Sequence, residues 1–452
     1  MSVRLIESLA TNKPLTELFS DESVLRAMLE FEAALARTEA GLGIVPRSAA
    51  EAIAAATRGK NFDVASLAGQ AIEAGTLTIP LVKMLRKRVR QNSPAAADFV
   101  HLGATSQDVA DTALILLLKR AQPILEHDLE RLEKRLFHLT EEHAHTVMVG
   151  RTLLQAAPPV TFGLKSAGWL AALRRCRKRL ETSFHEALIV QFGGASGTLA
   201  ILGEHGLQVA RALAGELGLR LPEAPWHSQR DRLAALVSAC GILTGSLGKM
   251  ARDIGLLMQT EVAEVREPGG EGRGGSSTMP HKHNPVGCIV TLAAANRVPG
   301  LVASFFSGMV QEHERAAGGW QAEWPTVADV IQSTGLAIAS MAGVAEGLSV
   351  DRTRMRSNIE ATYGVVFAEK AMRLLAPKLG REPAQKILEQ AVHVSTSKKR
   401  GLSSVLAEIP EVTRHLDRDT LRKLDAPEDY LGATQSFIRG LLAKPPSRKK
   451  EG

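Results

Sequence analysis

The sequence predicts an all-α protein, organised as three helical domains around a central bundle of long helices. Two apolar stripes and a scarcity of strands carry that expectation. From Leu114 the apolar positions Leu114, Leu118, Ala121, Leu125, Leu129, Leu132, Leu136 and Leu139 step by four or three residues. That spacing keeps them on one face of an α-helix. A second stripe, Leu236, Cys240, Leu243, Leu247, Met250, Ile254 and Leu257, alternates four and three without a break, as a coiled-coil seam does. Period-two alternation is confined to short pieces such as LIVQF at 188–192.

In chain order, an N-terminal helical domain spans residues 1–108. The central part, 109–350, carries both stripes. Pro123 lies inside the first, where its ring and missing N–H kink a helix. Gly241, Gly245, Gly248 and Gly255 lie along the second. Each weakens a helix by up to ~1 kcal/mol relative to alanine, so four together imply neighbours that approach closely. Both stripes outrun the ~11–12-residue average helix. Seams of that length are hard for one chain to cover, so association of several chains is expected. A C-terminal helical domain, 351–452, starts near SVDRTRM.

Composition narrows the function. The chain has 452 residues, 45% of them hydrophobic, enough for a large core. No apolar run approaches the ~18 residues of a membrane span, and the N-terminus lacks a basic start with a long apolar stretch. Three distant cysteines, Cys176, Cys240 and Cys288, suit neither a disulfide framework nor a zinc knuckle; a cytoplasmic protein is expected. Net charge is +7 and aromatics are 4%. The charge suits an anionic ligand, whereas base-stacking platforms are poorly supplied. The basic runs LRKRVR (85–90) and RRCRKRL (174–180) read as solvated helix faces, with attraction of an anionic metabolite as the functional alternative.

One stretch concentrates chemistry: GRGGSSTMPHKHNPVG at 272–287. It is not a P-loop, because Lys282 follows the serines and a helix precedes the glycines. His281 and His283 alone make no metal shell, and neither metal nor cofactor is expected. Two readings stay open on composition: a glycine-rich surface loop before a capped helix, and a catalytic flap spanning about 266–287. For the flap, Lys282 supplies a cation, and a helix starting near Pro285 adds positive potential and free N–H groups. Serine transfers a proton only where such groups stabilise its charge. A mobile glycine hinge would let the assembly close over substrate.

GGSSTMPHKHNP resembles the signature loop of the fumarase/aspartase superfamily, G-S-S-x-M-P-x-K-x-N-P. HLGATSQDVADT (101–112) and HAHTVMVGRTLLQAAPPVTFG (143–163) resemble that superfamily's first and second regions, in the right order. QFGGASG, PWHSQRDR and EHERAAGGWQAEW look like its branch that lactonises carboxymuconates. The likeness covers nearly the whole chain. It implies three all-α domains, a homotetramer on a shared central bundle, and active sites built from three subunits.

The same resemblance implies roles. Ser276 is the expected proton-transfer residue; Lys282 and Asn284 bind the substrate carboxylate and stabilise its aci form. His143 is the available imidazole for a second acid/base role. Thr105, Ser106 and Gln155 offer neutral donors to carboxylate oxygens, Arg315 a bidentate clamp, and His101 a pocket wall. The second region departs from the pattern: Leu153 stands where C–N-cleaving branches carry a histidine, and leucine moves no proton. That favours a cofactor-independent cycloisomerase acting on a small tricarboxylate over an adenylosuccinate-lyase-like elimination. A sulfo-substituted muconate is an alternative substrate. A catalytically silent scaffold would have no use for Ser276, Lys282 and Asn284 together.

Overall fold

A computed structural model describes residues 5–58, 62–270, 274, 275, 279 and 281–443. The described chain is mostly helical. The elements that matter here are α1 (Asp21–Gly41), α2 (Val64–Ala74), α3 (Thr78–Asn92), α4 (Ser106–Glu142), α5 (Phe162–Ala187), α6 (Asp231–Leu257), α7 (Val286–Ser307) and α8 (Gly319–Glu346). Between α4 and α5 lies a hairpin, β1 (Val147–Thr152) with β2 (Gln155–Thr161). The segment 188–192 is not a strand; only Ile189 forms an isolated bridge, to Arg220.

The two stripes are the inner faces of α4 and α6. All eight positions of the first and all seven of the second are buried. Their apolar surface is therefore removed from water by this chain alone, which corrects the expectation that these seams need a second chain. The glycines of α6 divide. A Cβ at Gly248 would lie 2.6 Å from Ala295 and one at Gly241 3.2 Å from Val302, so α7 approaches there; Gly245 and Gly255 meet nothing within 4 Å. α4 runs unbroken past Pro123.

Among the described residues, three helices are long and apolar enough to cross a membrane by length and composition: α6, α7 and α8. No single uninterrupted run in the sequence shows this, because small and polar residues are interspersed. α6 and α8 are each 61% buried over the relevant window, but α7 only 28%. Ile289 and Phe306 on α7 are exposed at 53% and 47%. The uncovered apolar helix is thus α7, which carries neither stripe.

The chain divides into two compact units, one of residues 1–129, 175–248 and 290–339, the other of 130–174, 249–289 and 340–452. In the first, Arg230 is fully buried and bridges Asp111 (2.8 Å) and Glu323 (2.6 Å). Burial disfavours its guanidinium, but the two carboxylates outweigh that and hold it charged. Trp320 Nε1 donates to Asp111 at 2.9 Å and the Trp226 ring lies under the guanidinium. In the second, β3 (Val265–Arg266) pairs antiparallel with β4 (Ser349–Val350).

Candidate active site

The first region begins where α4 begins. Thr105 immediately precedes the helix, and Asp108 lies three residues on, the spacing at which an acidic side chain reaches back to a helix start. Asp108 does so: Oδ2 accepts the Thr105 N–H at 3.0 Å. The carboxylate does more than cap. It also accepts the N–H groups of Gly193 (3.0 Å) and Gly194 (2.9 Å) and faces His227 Nε2 at 2.7 Å. Asp108 is wholly buried and His227 nearly so. A buried carboxylate needs such partners, and three of them, Gly193, Gly194 and His227, tie the first region to the QFGGASG and PWHSQRDR segments.

Arg315 joins the same cluster. Its Nη1 donates to the Thr105 hydroxyl at 2.8 Å, and its Nη2 to the Ala195 carbonyl at 2.8 Å. The expected carboxylate clamp is thus already engaged with the first region, while its Nε is buried without a hydrogen bond. Ser106 is half-buried, and its carbonyl accepts the Thr78 hydroxyl at 2.9 Å. His101 has a left-handed backbone, φ 65°, uncommon for a residue with a Cβ. Its Nδ1 lies 2.6 Å from Glu32 Oε1, and Glu32 is fully buried. Burial opposes the imidazolium, but the charge and hydrogen bond of Glu32, helped by Asp108 and opposed by Arg86, raise its pKa overall.

In the second unit the structure spreads the second region along the β1–β2 hairpin. His143 sits at its base. Its carbonyl accepts the N–H groups of Thr146 (3.1 Å) and Gly163 (2.9 Å). Its ring is buried against Phe162, with Nδ1 3.1 Å from the Thr146 hydroxyl and Nε2 3.5 Å from Glu142. Burial pushes its pKa down, with Glu142 opposing. Gln155 lies at the far end, opposite Thr152, and is exposed. The six residues of β1 span five steps from base to tip, about 17 Å, so one hairpin does not bring His143 and Gln155 to the same small ligand.

The hairpin tip is Leu153-Leu154. Both have positive φ, 50° and 65°, as a two-residue primed turn requires, without the usual Asn or Gly. Leu153 is 97% exposed and Leu154 79%. Arg151 below the tip holds Glu264 with both terminal nitrogens, at 2.9 and 2.7 Å. Gly150 is obligatory, since a Cβ there would meet the Pro158 carbonyl at 2.3 Å.

Ser276, with its neighbours Ser277 and Thr278, lies outside the described residues. Lys282 is exposed and Asn284 half-buried. Asn284 N–H donates to the Gly274 carbonyl at 2.9 Å, so the two ends of the serine segment are stapled together. Gly274 adopts φ 73°, and a Cβ there would press on the Asn284 carbonyl at 3.0 Å. The start of α7 corrects one expectation. Its first-turn N–H groups are not free: Glu267 accepts those of Gly287 and Cys288, both at 2.9 Å. The carboxylate is buried; burial, reinforced by this carboxylate, pushes the Cys288 thiol pKa far up. The positive potential of the α7 start is thereby partly neutralised.

Sequence reasoning missed Asp108, His227, Glu32 and Glu267. Asp108 was readable as the fourth residue of Thr-x-x-Asp; the others are joined by contacts distant in sequence.

The chain is similar to known proteins over nearly its whole length. Residues 8–300 match the family model described as Lyase, and residues 364–440 that described as Adenylosuccinate lyase C-terminus. The 3-carboxy-cis,cis-muconate cycloisomerase of Pseudomonas aeruginosa is 50% identical over 95% of this chain and 94% of its own. The nitrosuccinate lyase of Streptomyces davaonensis is 39% identical over 98% and 94%. The crystal structure of 3-carboxy-cis,cis-muconate lactonizing enzyme from Pseudomonas putida superposes with a TM-score of 0.91 at 46% identity, covering 98% of both chains. The chain belongs to this lyase family, the fumarase/aspartase superfamily, and has its all-α fold.

Proposed function

We propose that this member of the family is a 3-carboxy-cis,cis-muconate cycloisomerase, closing its substrate to 4-carboxymuconolactone. The observation that carries the reading is the 50% identity over 95% of the chain to an enzyme of that name. In the reaction one carboxylate oxygen adds to the conjugated double bond and forms the lactone C–O bond. The π pair moves onto the carbon beside a second carboxylate, which becomes an aci dianion. That carbon then takes a proton. The step is the reverse of an elimination, the chemistry common to the superfamily.

In this reading Ser276 gives the proton, while Lys282 and Asn284 hold the developing dianion. The Gly274–Asn284 staple fixes Asn284 at the edge of the serine segment, so its position is set before substrate arrives. Thr105, Ser106 and His101 receive carboxylate oxygens from the first region, with Arg315 orienting the Thr105 hydroxyl. Leu153, exposed and unable to move a proton, favours lactonisation over C–N cleavage, even though a nitrosuccinate lyase is also a relative. We further propose a cytoplasmic homotetramer whose sites draw on several subunits. The exposed α7 and the apolar hairpin tip support it, since both are surfaces a single chain leaves wet.

The test follows the ultraviolet absorbance of 3-carboxy-cis,cis-muconate on adding enzyme, with adenylosuccinate, nitrosuccinate and a sulfomuconate in parallel. Loss of the carboxymuconate band with formation of lactone is expected. Turnover of nitrosuccinate alone would overturn the assignment.

A further inference from the structure

The basic run of α3 does not face open solvent on a convex surface; it lines a cleft. The cleft has a volume of about 1300 Å³ and is walled by α2, α3 and the chain entering α4. Among the described residues that line it, five are lysine or arginine and none is acidic. His101 and Ser106 lie on the same wall, so the cleft opens onto the first region.

The five cations are not equivalent. Arg86 donates to the Val100 carbonyl at 3.0 Å, Arg90 reaches Asp98 at 3.4 Å, and Arg88 lies over the Phe62 ring at 4.9 Å. These three fix the walls. Lys83 and Lys87 are exposed and one helical turn apart, so their ammonium groups stand side by side. Each can bind one carboxylate as a mobile point charge. A concave surface lined by one sign of charge concentrates small counter-ions. Among the described lining residues Phe62 is the phenyl ring, and Arg88 already lies over it at 4.9 Å. At this volume the cleft exceeds the few hundred Å³ that close around a single small ligand; it is a vestibule, not a sealed pocket.

We propose that this cleft is a capture site for small polycarboxylate anions, in which Lys83 and Lys87 hold carboxylates and pass the anion to His101 and Ser106. The inference rests on the proposed reaction for the identity of the anion, a tricarboxylate. His101 at the inner end of the cleft is paired with Glu32 at 2.6 Å, so the net positive charge of the cleft comes from the lysines and arginines of α3.

The experiment uses the full-length double variant Lys83→Ala/Lys87→Ala. Both positions are exposed on a helix, where alanine is well tolerated. KM for 3-carboxy-cis,cis-muconate is measured between about 20 and 200 mM NaCl, over which screening shortens several-fold. Binding of tricarballylate, a saturated tricarboxylate that cannot lactonise, is measured by calorimetry. We expect KM at low salt to rise about tenfold, tricarballylate to bind about tenfold more weakly, and the salt dependence of kcat/KM to flatten. Lys83→Arg/Lys87→Arg should restore most of each. Lys386→Ala/Lys398→Ala, the same charge change on exposed positions outside the cleft, should leave the salt dependence as in the wild type. If the cleft variant keeps wild-type KM, salt dependence and tricarballylate affinity, the capture site is wrong and the proposed reaction stands. If the wild-type protein binds tricarballylate through Lys83 and Lys87 but does not turn over carboxymuconate, the reaction is wrong and the capture site stands.

Discussion

Arg315 Nη1 donates to the Thr105 hydroxyl across 2.8 Å, although 210 residues separate them in the chain. A hydroxyl that accepts from a guanidinium has its own proton turned outward and free to donate. Arg315 therefore sets which way Thr105 points. Arg315→Lys keeps the charge but loses the planar fork that also reaches the Ala195 carbonyl. We expect it to lower kcat/KM about 10- to 100-fold. A double-mutant cycle with Thr105→Val should give a coupling of about 1.5–3 kcal/mol, the range for a hydrogen bond to a charged group. Additive losses would mean the two residues act separately.

Glu267 and the start of α7 form a cap made by tertiary structure. Glu267→Ala strips the partners of two first-turn N–H groups and should destabilise the protein by about 1–2 kcal/mol, seen as a lower apparent melting temperature. Glu267→Gln keeps one acceptor oxygen and removes the negative charge at the start of α7. It should be less destabilised than alanine, and its KM for carboxymuconate should fall, because the start of α7 then presents more positive potential to an anion. A raised KM with an intact fold would contradict this electrostatic account.

Periodicity is local, so the buried faces of α4 and α6 were legible position by position. What covers them was not, because covering partners lie elsewhere in the chain; the wet apolar helix proved to be α7, whose residues make no tidy stripe. The 147–161 hairpin escaped notice because Pro158 and Pro159 disrupt β2's pattern and Leu153-Leu154 lacks the Asn-Gly signal of a tight turn. The signature loop was legible as a motif. Its cap, Glu267, sits twenty residues before Gly287 across a glycine-rich stretch, and spacing alone could not pair them. Asp108 was legible as a helix-start acid, but not as the hub for Gly193, Gly194 and His227.

Ser276 carries the proposed proton transfer, so Ser276→Ala should reduce kcat by about 10³-fold or more while leaving the melting temperature within a degree or two. Lys282→Met should reduce kcat/KM similarly through loss of dianion stabilisation. Stopped-flow absorbance on both variants checks this. Near-full activity of Ser276→Ala would remove serine from the mechanism without touching the fold.

Glu39 makes stability depend on pH in an unusual direction. It is fully buried, neither carboxyl oxygen has a hydrogen-bond partner, and burial, reinforced by Glu32, raises its pKa to about 8. The folded protein therefore keeps a proton between about pH 4.5 and 8 that the unfolded chain releases. The folded state binds more protons in that window, so stability falls as pH rises through it. Glu39→Gln, which is neutral at every pH, should gain on the wild type progressively across that window, by on the order of a few kcal/mol at pH 8 and above. Urea midpoints at pH 5 and 8 measure the difference; an equal offset at both would show that Glu39 does not titrate as burial dictates.

The uncovered α7 gives the assembly its test. Ile289 is 53% exposed on a helix only 28% buried over its apolar window. Leaving such a surface in water is unfavourable by roughly 25 cal/mol per Å² of apolar area, so copies of the chain should cover it for one another. Ile289→Asp places a charge in that contact, where an unpaired buried carboxylate is strongly destabilising, yet in the separated chain the side chain is simply solvated. The variant should elute as a smaller species by light scattering, with helical circular dichroism retained. If sites draw on several subunits, its activity should fall in step with dissociation and recover as protein concentration rises. Full activity in a species with the mass of one 48.4 kDa chain would show instead that each subunit carries a complete site.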